Sequence, residues 1–295
     1  MNKKYYRNIE SVVKKFLNLY KRSKDKNLKK AIYSAVYRVF NEKDGLLLKK
    51  NKKEKLIVYT NDSISKEIFI SGDFEFKKLY KVLRILGKKH KKKTLIDIGA
   101  NIGSISIPAL TRGFFRNAIA FEPEIKNYRV LNANIYLNKL ENKIRPINLA
   151  LSNNKKKLKL SCGKFNSGDN RIANKSIVKG RGPTQIVKTD LLDSYTKNLR
   201  KTDTLIWLDV QGHEGFVIEG AKKTMKNKIP LVMEFQPDLM QKNWFKKFSH
   251  LYNNYKYFYN LSEKKLKRNY LKEETIQKLY NKLIAEKKHT DLLIL

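Results

Sequence analysis

The segment that most constrains this chain is the nine-residue run from Leu95 to Gly103. A short apolar stretch ends in an acid, two glycines bracket a turn, and an amphipathic segment follows at once. This pattern predicts a buried strand that breaks into a glycine-rich loop and opens a helix, so that backbone N–H groups point at a nucleotide-like ligand. A second apolar run ends in Glu122, where an acid at the tip of the neighbouring strand would bind a ribose diol through two hydrogen bonds.

The residues of the turn distinguish between two nucleotide ligands. The pattern Asp97-x-Gly99-x-Asn101-x-Gly103 lacks the three-glycine turn that binds a pyrophosphate, which disfavours NAD. An acid before the turn suits a ligand with a cationic amino-acid end. We therefore expect S-adenosylmethionine as the ligand.

Composition excludes several classes of protein. Of the 295 residues 41% are hydrophobic, which suffices for one large α/β domain with an appendage. No window is apolar for long enough to span a membrane or to form a secretory signal. A single cysteine excludes a disulfide framework, and four scattered histidines argue against a metal cluster. We expect a cytoplasmic protein without a metal site.

Lysine carries most of the formal net charge of +38, since only 12 of the 65 cationic residues are arginine. Arginine makes the bidentate contacts to bases and phosphates, so a lysine excess is a weak signal for nucleic-acid recognition. Asn, Ile, Tyr and Phe are also frequent and share AT-rich codons with Lys, so compositional bias explains much of the charge. Attraction to an anionic membrane surface, glycolipid or polymer is the alternative.

The chain divides into a basic, mainly helical extension over residues 1–62 and one domain over residues 63–295. In the extension, apolar residues recur at helical spacing over residues 9–20 and 32–39. Two short strands are expected over residues 56–60 and 67–71.

From residue 94 onward, apolar runs alternate with amphipathic segments. This alternation predicts an α/β fold with a mostly parallel seven-stranded sheet and helices on both faces. The expected strands are 94–98, 117–122, 144–149, 204–209, 229–235, 255–260 and 291–294. The expected helices are 74–86, 103–112, 124–138, 213–226, 237–252 and 263–288, and residues 152–190 form an irregular insert.

Carboxylates also end the fourth and fifth of these strands. Asp209 projects at the edge of the sheet, and Glu234 ends an apolar strand, where an acid is costly unless it binds or pairs with something. An ion pair with a lysine would also account for Glu234, and Glu214 could complement a helix dipole. His213 is either a base suited to neutral pH or a hydrogen-bonding loop residue.

Together these segments resemble the FkbM-type methyltransferases, which depend on S-adenosylmethionine. The resemblance spans about residues 63–295. It rests on residues 74–75, 95–103, 121–123, 132–138, 148–152, 189–193, 209–214, 220–221, 234 and 290–294. It implies a Rossmann-like class I methyltransferase fold and methyl transfer to a hydroxyl of a sugar, glycolipid or small metabolite. The chain departs from the family pattern at Gln211, where Glu is common, and at Leu191, where Thr is usual.

The resemblance also implies roles for individual residues. The cofactor-binding residues are Asp97, Gly99, Ala100, Asn101, Gly103, Glu122, Pro123 and Ala150. Glu75 and Glu214 lie on the substrate side. The expected catalytic residues are Asp209, His213 and Glu234. Asp209 is the first choice for the base that takes the hydroxyl proton and His213 the second. Glu234 would join Asp209 in clamping the acceptor or, alternatively, a divalent ion.

Two other functions would use the same donor-binding loop. An RNA or other nucleic-acid methyltransferase would suit the positive charge. However, amino-methylating enzymes usually place an Asn/Asp-Pro-Pro-Tyr/Phe segment where this chain has Asp-Val-Gln-Gly, and Cys162 lies in the wrong segment for a C5-methylating nucleophile. The third function is a non-catalytic protein that binds S-adenosylmethionine or a membrane surface.

Overall fold

The structure is a computed structural model that describes residues 25–39, 45–72, 74–173, 181–240 and 244–295, with the single residues 11, 15 and 18. Most of the helical stripe expected over residues 9–20 lies outside the described residues. The second stripe forms helix α1 (Lys26–Val39), in which Ile32 and Tyr37 are buried. Within the described ranges, every helix is too short or too polar to cross a membrane.

An eight-stranded sheet forms the centre of the fold. Its strands are β3 (Thr94–Ile98), β4 (Asn117–Phe121), β5 (Ile144–Ile147), β10 (Thr204–Leu208), β11 (Leu231–Phe235), β12 (Tyr257–Asn260), β13 (Asn269–Tyr270) and β14 (Thr290–Ile294). Their spatial order is β13-β12-β14-β11-β10-β3-β4-β5. The five strands from β11 to β5 are parallel, and the pairings from β11 outward to β13 are antiparallel.

Strands β3 and β10 lie in the middle of this sheet because their sequences are almost entirely apolar. Every residue of both strands is buried. Successive side chains enter opposite cores: Leu95 and Trp207 pack on one face, and Ile96 and Leu208 pack on the other. A parallel sheet covered on both faces requires this pattern. The predicted α/β fold class is confirmed.

Short helices cover the two faces. They are α2 (Ser63–Ser71), α3 (Phe76–Leu86), α4 (Ser106–Thr111), α5 (Ile125–Leu137), α6 (Glu214–Glu219), α7 (Lys222–Lys226), α8 (Trp244–Lys247), α9 (Ser249–Asn254) and α10 (Glu273–Glu286). The helix expected over residues 213–226 divides at Gly220 into α6 and α7. The segment expected as one helix over residues 237–252 instead contains the 3₁₀ turn Pro237–Leu239 and then α8 and α9.

Two predictions about strands are wrong. Residues 67–71 belong to α2, because Asp62 caps this helix by accepting the N–H of Ser65 at 2.7 Å. The sheet has eight strands instead of seven: all seven expected strands are present, and β13 adds an eighth. The two residues of β13 are polar and carry no apolar run that a pattern could show.

The insert over residues 152–190 is also more regular than predicted. With β6 (Ala150–Leu151), it builds a four-stranded sheet from β7 (Lys157–Ser161), β8 (Arg171–Ile172) and β9 (Thr184–Asp190). In β7, exposed lysines alternate with Leu158 and Leu160, and Leu160 packs with Ala150 and Val187 in a small core. This period-two pattern specifies a half-buried strand.

A hairpin of β1 (Leu46–Lys50) and β2 (Lys55–Tyr59) packs against the central domain. The N–H of Ile57 donates to Asn134 Oδ1 at 2.6 Å, and Asn134 Nδ2 donates to the carbonyl of Ile57 at 3.1 Å. Arg112 at the end of α4 pairs with buried Glu54 at 2.6 Å. The domain boundary after residue 62 stays a prediction, and residues 54–57 contact the central domain across it.

Candidate functional site

Four chain segments meet at the carboxyl edge of the parallel strands. In the spatial order β11, β10, β3, β4, the strand ends bring Glu234, Asp209, Gly99 and Glu122 to neighbouring positions. The chain leaves β3 toward β4 on one side and leaves β10 toward β11 on the other. The gap between β3 and β10 is therefore the topological switch point, where open α/β sheets bind ligands.

Gly99 lets the glycine loop pass directly against the end of β10. Its φ is +88°, and an added Cβ would lie 1.8 Å from the backbone oxygen of Asp209. The N–H groups of Gly99 and Ala100 each donate to the carbonyl of Phe121 at 3.0 Å. Contacts with both neighbouring strands thus fix the loop, and a side chain at position 99 has no room.

Glu122 holds the same loop from the tip of β4. One carboxylate oxygen accepts the N–H of Asn101 at 2.8 Å, and the other accepts the N–H of Glu124 at 2.8 Å. The residue is 4% exposed, and burial raises the pKa of Glu122 to about 8. Each oxygen keeps a further acceptor position, as binding of a ribose diol requires.

Asp97, Ala100 and Gly103 shape the loop from within the protein. Asp97 Oδ2 accepts the N–H of Ser106 at 3.2 Å at the start of α4, and complete burial raises the pKa of Asp97 to about 7. A Cβ at Gly103 would lie 2.6 Å from Ile107 Cδ1. These three residues order the loop without lining the cavity beside it.

That cavity, named here the loop cavity, has a volume of about 50 Å³, smaller than the ~300–1,000 Å³ usual for small-molecule sites. Five of the eight predicted cofactor-binding residues line it: Gly99, Asn101, Glu122, Pro123 and Ala150. Its apolar lining residues are Ile98, Phe121, Leu149, Leu151, Leu160, Ile172 and Val210.

The insert covers the loop cavity with a segment to which the sequence assigned no role. Ser167, Gly168 and Asn170 line the cavity. Asn101 Nδ2 donates to Ser167 Oγ at 3.2 Å, which joins the segment to the glycine loop. The sequence signal, a polar run that contains one glycine, is equally typical of an ordinary surface turn.

Two further residues hold this covering segment. Asn127 Nδ2 of α5 donates to the carbonyl of Ser167 at 3.0 Å. The N–H of Ser167 donates to Asp62 Oδ1, while the other oxygen of Asp62 caps α2. Asp62, which precedes the predicted domain boundary, therefore helps to position the segment that covers the loop cavity.

A second cavity of about 450 Å³, named here the acid cavity, adjoins the first and shares Gly168, Asp209 and Gln211 with it. Its acidic lining residues are Glu67, Glu75, Asp169, Asp209 and Glu234, and its basic ones are Arg171 and His289. Arg171 pairs with Asp169 at 2.6 Å. The lining is therefore net negative, although the chain as a whole is strongly positive.

Three carboxyl groups lie level across three neighbouring strands. Glu234 of β11 faces Asp291 of β14 in the antiparallel register. Leu208 of β10 is level with Met233 of β11, so Asp209 follows at the level of Glu234. The predicted juxtaposition of Asp209 and Glu234 is present, and Asp291 extends the row.

Hydrogen bonds and one lysine hold this row. Gln211 Nε2 donates to Asp209 Oδ1 at 2.8 Å and to Glu234 Oε2 at 2.7 Å. Lys78 of α3 lies 2.6 Å from Asp291 Oδ2. Burial, followed by the charge of Asp209, holds the pKa of Glu234 far above its ordinary value. Both effects favour the protonated form of Glu234.

The two predicted substrate-side residues have different surroundings. Glu75 lines the acid cavity and pairs with Lys78. Glu214 lines neither cavity and is buried, and its Oε1 accepts the N–H groups of Val210 at 3.0 Å and Gly212 at 3.2 Å. Burial raises the pKa of Glu214 to about 7. Glu214 thus holds the loop after β10.

His213 lies buried at the wall of the loop cavity. Its Nε2 is 3.0 Å from Ser152 Oγ, its ring stacks on Phe216, and Nδ1 has no hydrogen-bond partner among the described residues. Burial lowers the pKa of His213 to about 3, so the ring is neutral at neutral pH. This environment disfavours the role of base, which stays a prediction.

Asp209, Glu214 and Glu234 bring carboxylate oxygens within 4.8 Å of one another. N–H donors already serve all three groups: Gln211 bridges Asp209 and Glu234, and backbone N–H groups bind Glu214. Hydrogen bonding and proton sharing account for this cluster. The expected absence of a metal stays a prediction.

Solved structures with similar folds include methyltransferases. Methyltransferase FkbM from Methylobacillus flagellatus KT is 14% identical over 98% of this chain and 59% of its own, with a TM-score of 0.44. TYW2 from M. jannaschii, in complex with AdoMet, is 11% identical over 86% of both chains, with a TM-score of 0.41. The tRNA m1G37 methyltransferase of M. jannaschii is 14% identical over 86% of this chain and 56% of its own, with a TM-score of 0.38.

No curated protein matches the sequence, and the TM-scores are low, so the family assignment rests on another match. Residues 97–266, more than half of the chain, match the model of the methyltransferase FkbM domain. The matched range includes the glycine loop, Glu122, the insert and the strand ends that carry Asp209 and Glu234. The chain therefore belongs to the FkbM family of S-adenosylmethionine-dependent methyltransferases.

Proposed function

We propose that this chain methylates a hydroxyl group on a neutral or cationic acceptor, such as a sugar, glycolipid or small metabolite. The observation that carries the proposal is the shared wall of the two cavities, formed by Gly168, Asp209 and Gln211. A donor in the loop cavity and an acceptor in the acid cavity would meet at this wall. Methyl transfer needs such an in-line meeting of donor and acceptor.

The residues of the loop cavity fit the parts of S-adenosylmethionine. The Glu122 carboxylate suits the ribose hydroxyls, and the apolar walls suit the adenine ring. His213 Nδ1 is a buried nitrogen without a hydrogen-bond partner in the described part of the chain, and a bound ligand could supply one.

When bound, the donor supplies a methyl group on a sulfonium, which is already a good leaving group. The protein must therefore align the acceptor and remove its proton. Asp209 would accept the proton of the acceptor hydroxyl as that oxygen takes the methyl group from the donor sulfur. Asp209 lies on the shared wall, whereas burial and the charge of Asp209 favour the protonated form of Glu234.

The charge of the acid cavity supports a hydroxyl-bearing acceptor over a nucleic acid. A phosphate in this cavity would face Glu67 and Asp209, and a close approach of like charges is strongly unfavourable. Hydroxyl groups of a sugar donate hydrogen bonds to the same carboxylates. The net charge of +38 favours attraction to polyanions, but it is not concentrated in this cavity.

Methyl transfer can be measured with labelled S-adenosylmethionine and a panel of neutral, amino and anionic glycosides, with RNA as a further acceptor. We expect label on a hydroxyl oxygen of neutral or amino glycosides and strongly reduced transfer by Asp209→Asn. Transfer to RNA but to no glycoside would replace this proposal with the nucleic-acid function. Donor binding without transfer to any acceptor would favour a non-catalytic role.

A further inference from the structure

Gln211 lies on the shared wall between the carboxyl groups of Asp209 and Glu234. Its Nε2 donates to Asp209 Oδ1 at 2.8 Å and to Glu234 Oε2 at 2.7 Å. An amide nitrogen carries two N–H donors, so both are committed to these two groups. The side chain therefore fixes the spacing and orientation of the pair.

The backbone is bent to bring this side chain back to the end of β10. Gln211 has a φ of 53°, in the left-handed region that side chains other than glycine rarely adopt. Gly212 follows with a φ of 94°, and a Cβ there would lie 2.6 Å from the backbone oxygen of Leu239. Strained backbone of this kind persists where surrounding structure holds it, and it concentrates at functional sites.

An uncharged donor suits this pair of acids. Asp209 and Glu234 end neighbouring strands, and a second negative charge so close to the first is unfavourable. Gln211 supplies two N–H donors without adding charge. A carboxylate has about four acceptor positions, so Asp209 keeps room for the hydroxyl of an acceptor.

We propose that Gln211 is a positioning residue for methyl transfer, which holds Asp209 in the orientation that accepts the proton of the acceptor hydroxyl. This inference rests on the proposed function. A glutamate, common at this position in the FkbM-type pattern, has no N–H donor when ionised and adds a negative charge. The neutral amide supplies both donors without adding a charge beside Asp209.

The charged and titratable groups around the pair are unchanged in the experiment. Those beside it are Asp97 of β3, Glu214 of α6, Glu75 at the N-cap of α3, Lys78 of α3 and Asp291 of β14. Those across the acid cavity are Glu67 of α2, Asp169 and Arg171 of the insert, and His289.

Two variants of Gln211 and one control separate the effect of losing its N–H donors from the effect of adding a negative charge. Gln211→Glu removes both donors and adds a charge, whereas Gln211→Met removes the donors at similar length. Gln277→Glu makes the matched change on α10, where Gln277 bonds to Asn281 in an exposed position. Methyl-transfer kinetics, donor affinity and thermal unfolding are measured for each, with kcat followed against pH.

We expect Gln211→Glu to lower kcat by about tenfold or more at neutral pH, the lower part of a general base's contribution. Part of the lost kcat should return at higher pH. The added negative charge makes Asp209 harder to deprotonate in this variant, so the acidic limb of the profile of kcat against pH moves to higher pH. Gln211→Met should also lower kcat, but its pH profile should shift less than that of Gln211→Glu. Donor affinity should stay near the wild-type value, and Gln277→Glu should match the wild type.

An unshifted pH profile in Gln211→Glu overturns the proposal, as does a loss of activity that parallels a loss of donor affinity. A second measurement needs no acceptor: ¹³C NMR titration of the labelled carboxyl groups of Asp209 and Glu234. The proposal requires this pair to lose its proton at higher pH in both Gln211 variants, and an unchanged titration contradicts it. If the wild type methylates no hydroxyl, the proposed function fails, and the titration still decides the role of Gln211.

Discussion

Glu234 of β11 lies directly opposite Asp291 of β14, yet the two carboxyl groups are stabilised in different ways. Lys78 lies 2.6 Å from Asp291 and favours its charged form against the effect of burial. Glu234 instead accepts the amide of Gln211 and lies beside Asp209, whose charge favours a proton on Glu234. One group is paired with a cation, and the other is kept neutral.

This difference predicts unequal effects of two matched amide substitutions. Asp209→Asn should lower turnover by about 10²–10⁴-fold, the usual contribution of a general base, with donor affinity changed by a factor of a few. Glu234→Gln should retain most activity, because an amide mimics a protonated carboxyl group. A methyl-transfer assay and a donor titration on each variant provide the comparison. Equal losses in both variants would contradict the assignment of the base to Asp209.

The sheet was predictable because its strands are long apolar runs. Every residue of β3 and β10 is buried, and such runs are visible in the sequence. The two-residue strand β13 carries no such run, and residues 67–71 look like a strand until the Asp62 cap is recognised as the start of a helix. The local sequence pattern therefore identified the long apolar strands and missed the elements whose formation depends on tertiary contacts or caps.

The site was predictable where an acidic side chain lies at the end of a strand. Glu122 and Glu234 follow apolar runs, so their positions at one edge of the sheet follow from topology. The covering role of Ser167 was not predictable, because it depends on contacts with Asn101 and Asp62, which lie 66 and 105 residues away in the chain. Such long-range contacts leave no local pattern.

The Glu122 carboxylate should be a main determinant of donor affinity. Glu122→Gln keeps the size of the side chain but leaves one oxygen to accept from Asn101, Glu124 and the ribose, and a buried group left without its hydrogen bond costs about 1–3 kcal/mol. Calorimetry with S-adenosylmethionine should therefore show a weaker Kd. Glu141→Gln, at an exposed position, serves as the control. Equal affinities in Glu122→Gln and wild type would remove Glu122 from the donor site.

Asp62 should affect donor binding although it lies outside the loop cavity. Its two oxygens accept the N–H groups of Ser65 and Ser167, whereas Asp62→Asn leaves one oxygen for these two donors. We expect the covering segment around Ser167 to be held less firmly. Donor affinity should fall by about threefold to tenfold, which corresponds to the free energy of one ordinary hydrogen bond. Donor titration and thermal unfolding of the variant test this. Unchanged affinity with a lowered Tm would limit Asp62 to capping α2.

Buried Glu122 should make the ligand-free protein less stable as pH rises. Its pKa is raised from 4.5 to about 8 in the folded state, so the folded chain binds the proton more tightly than the unfolded chain. Above the unfolded value, stability is therefore lost at up to about 1.4 kcal/mol per pH unit until the folded value is reached. Unfolding by urea across this window should show a shallower decline for Glu122→Gln. An identical pH dependence in the two proteins would contradict the raised pKa.

The positive charge should produce weak, non-specific attraction to polyanions. If the lysine excess reflects composition, binding to random RNA or to anionic vesicles consists of screened contacts and should fall steeply between low salt and about 200 mM salt. The same salt should leave S-adenosylmethionine affinity nearly unchanged, because the loop cavity binds through buried contacts. Fluorescence anisotropy with labelled RNA and vesicle co-sedimentation measure the two partners over one salt series. Submicromolar RNA binding that survives high salt, together with methyl transfer to RNA, would contradict the compositional explanation. Retention on anionic vesicles at high salt would instead assign the basic surface to a membrane.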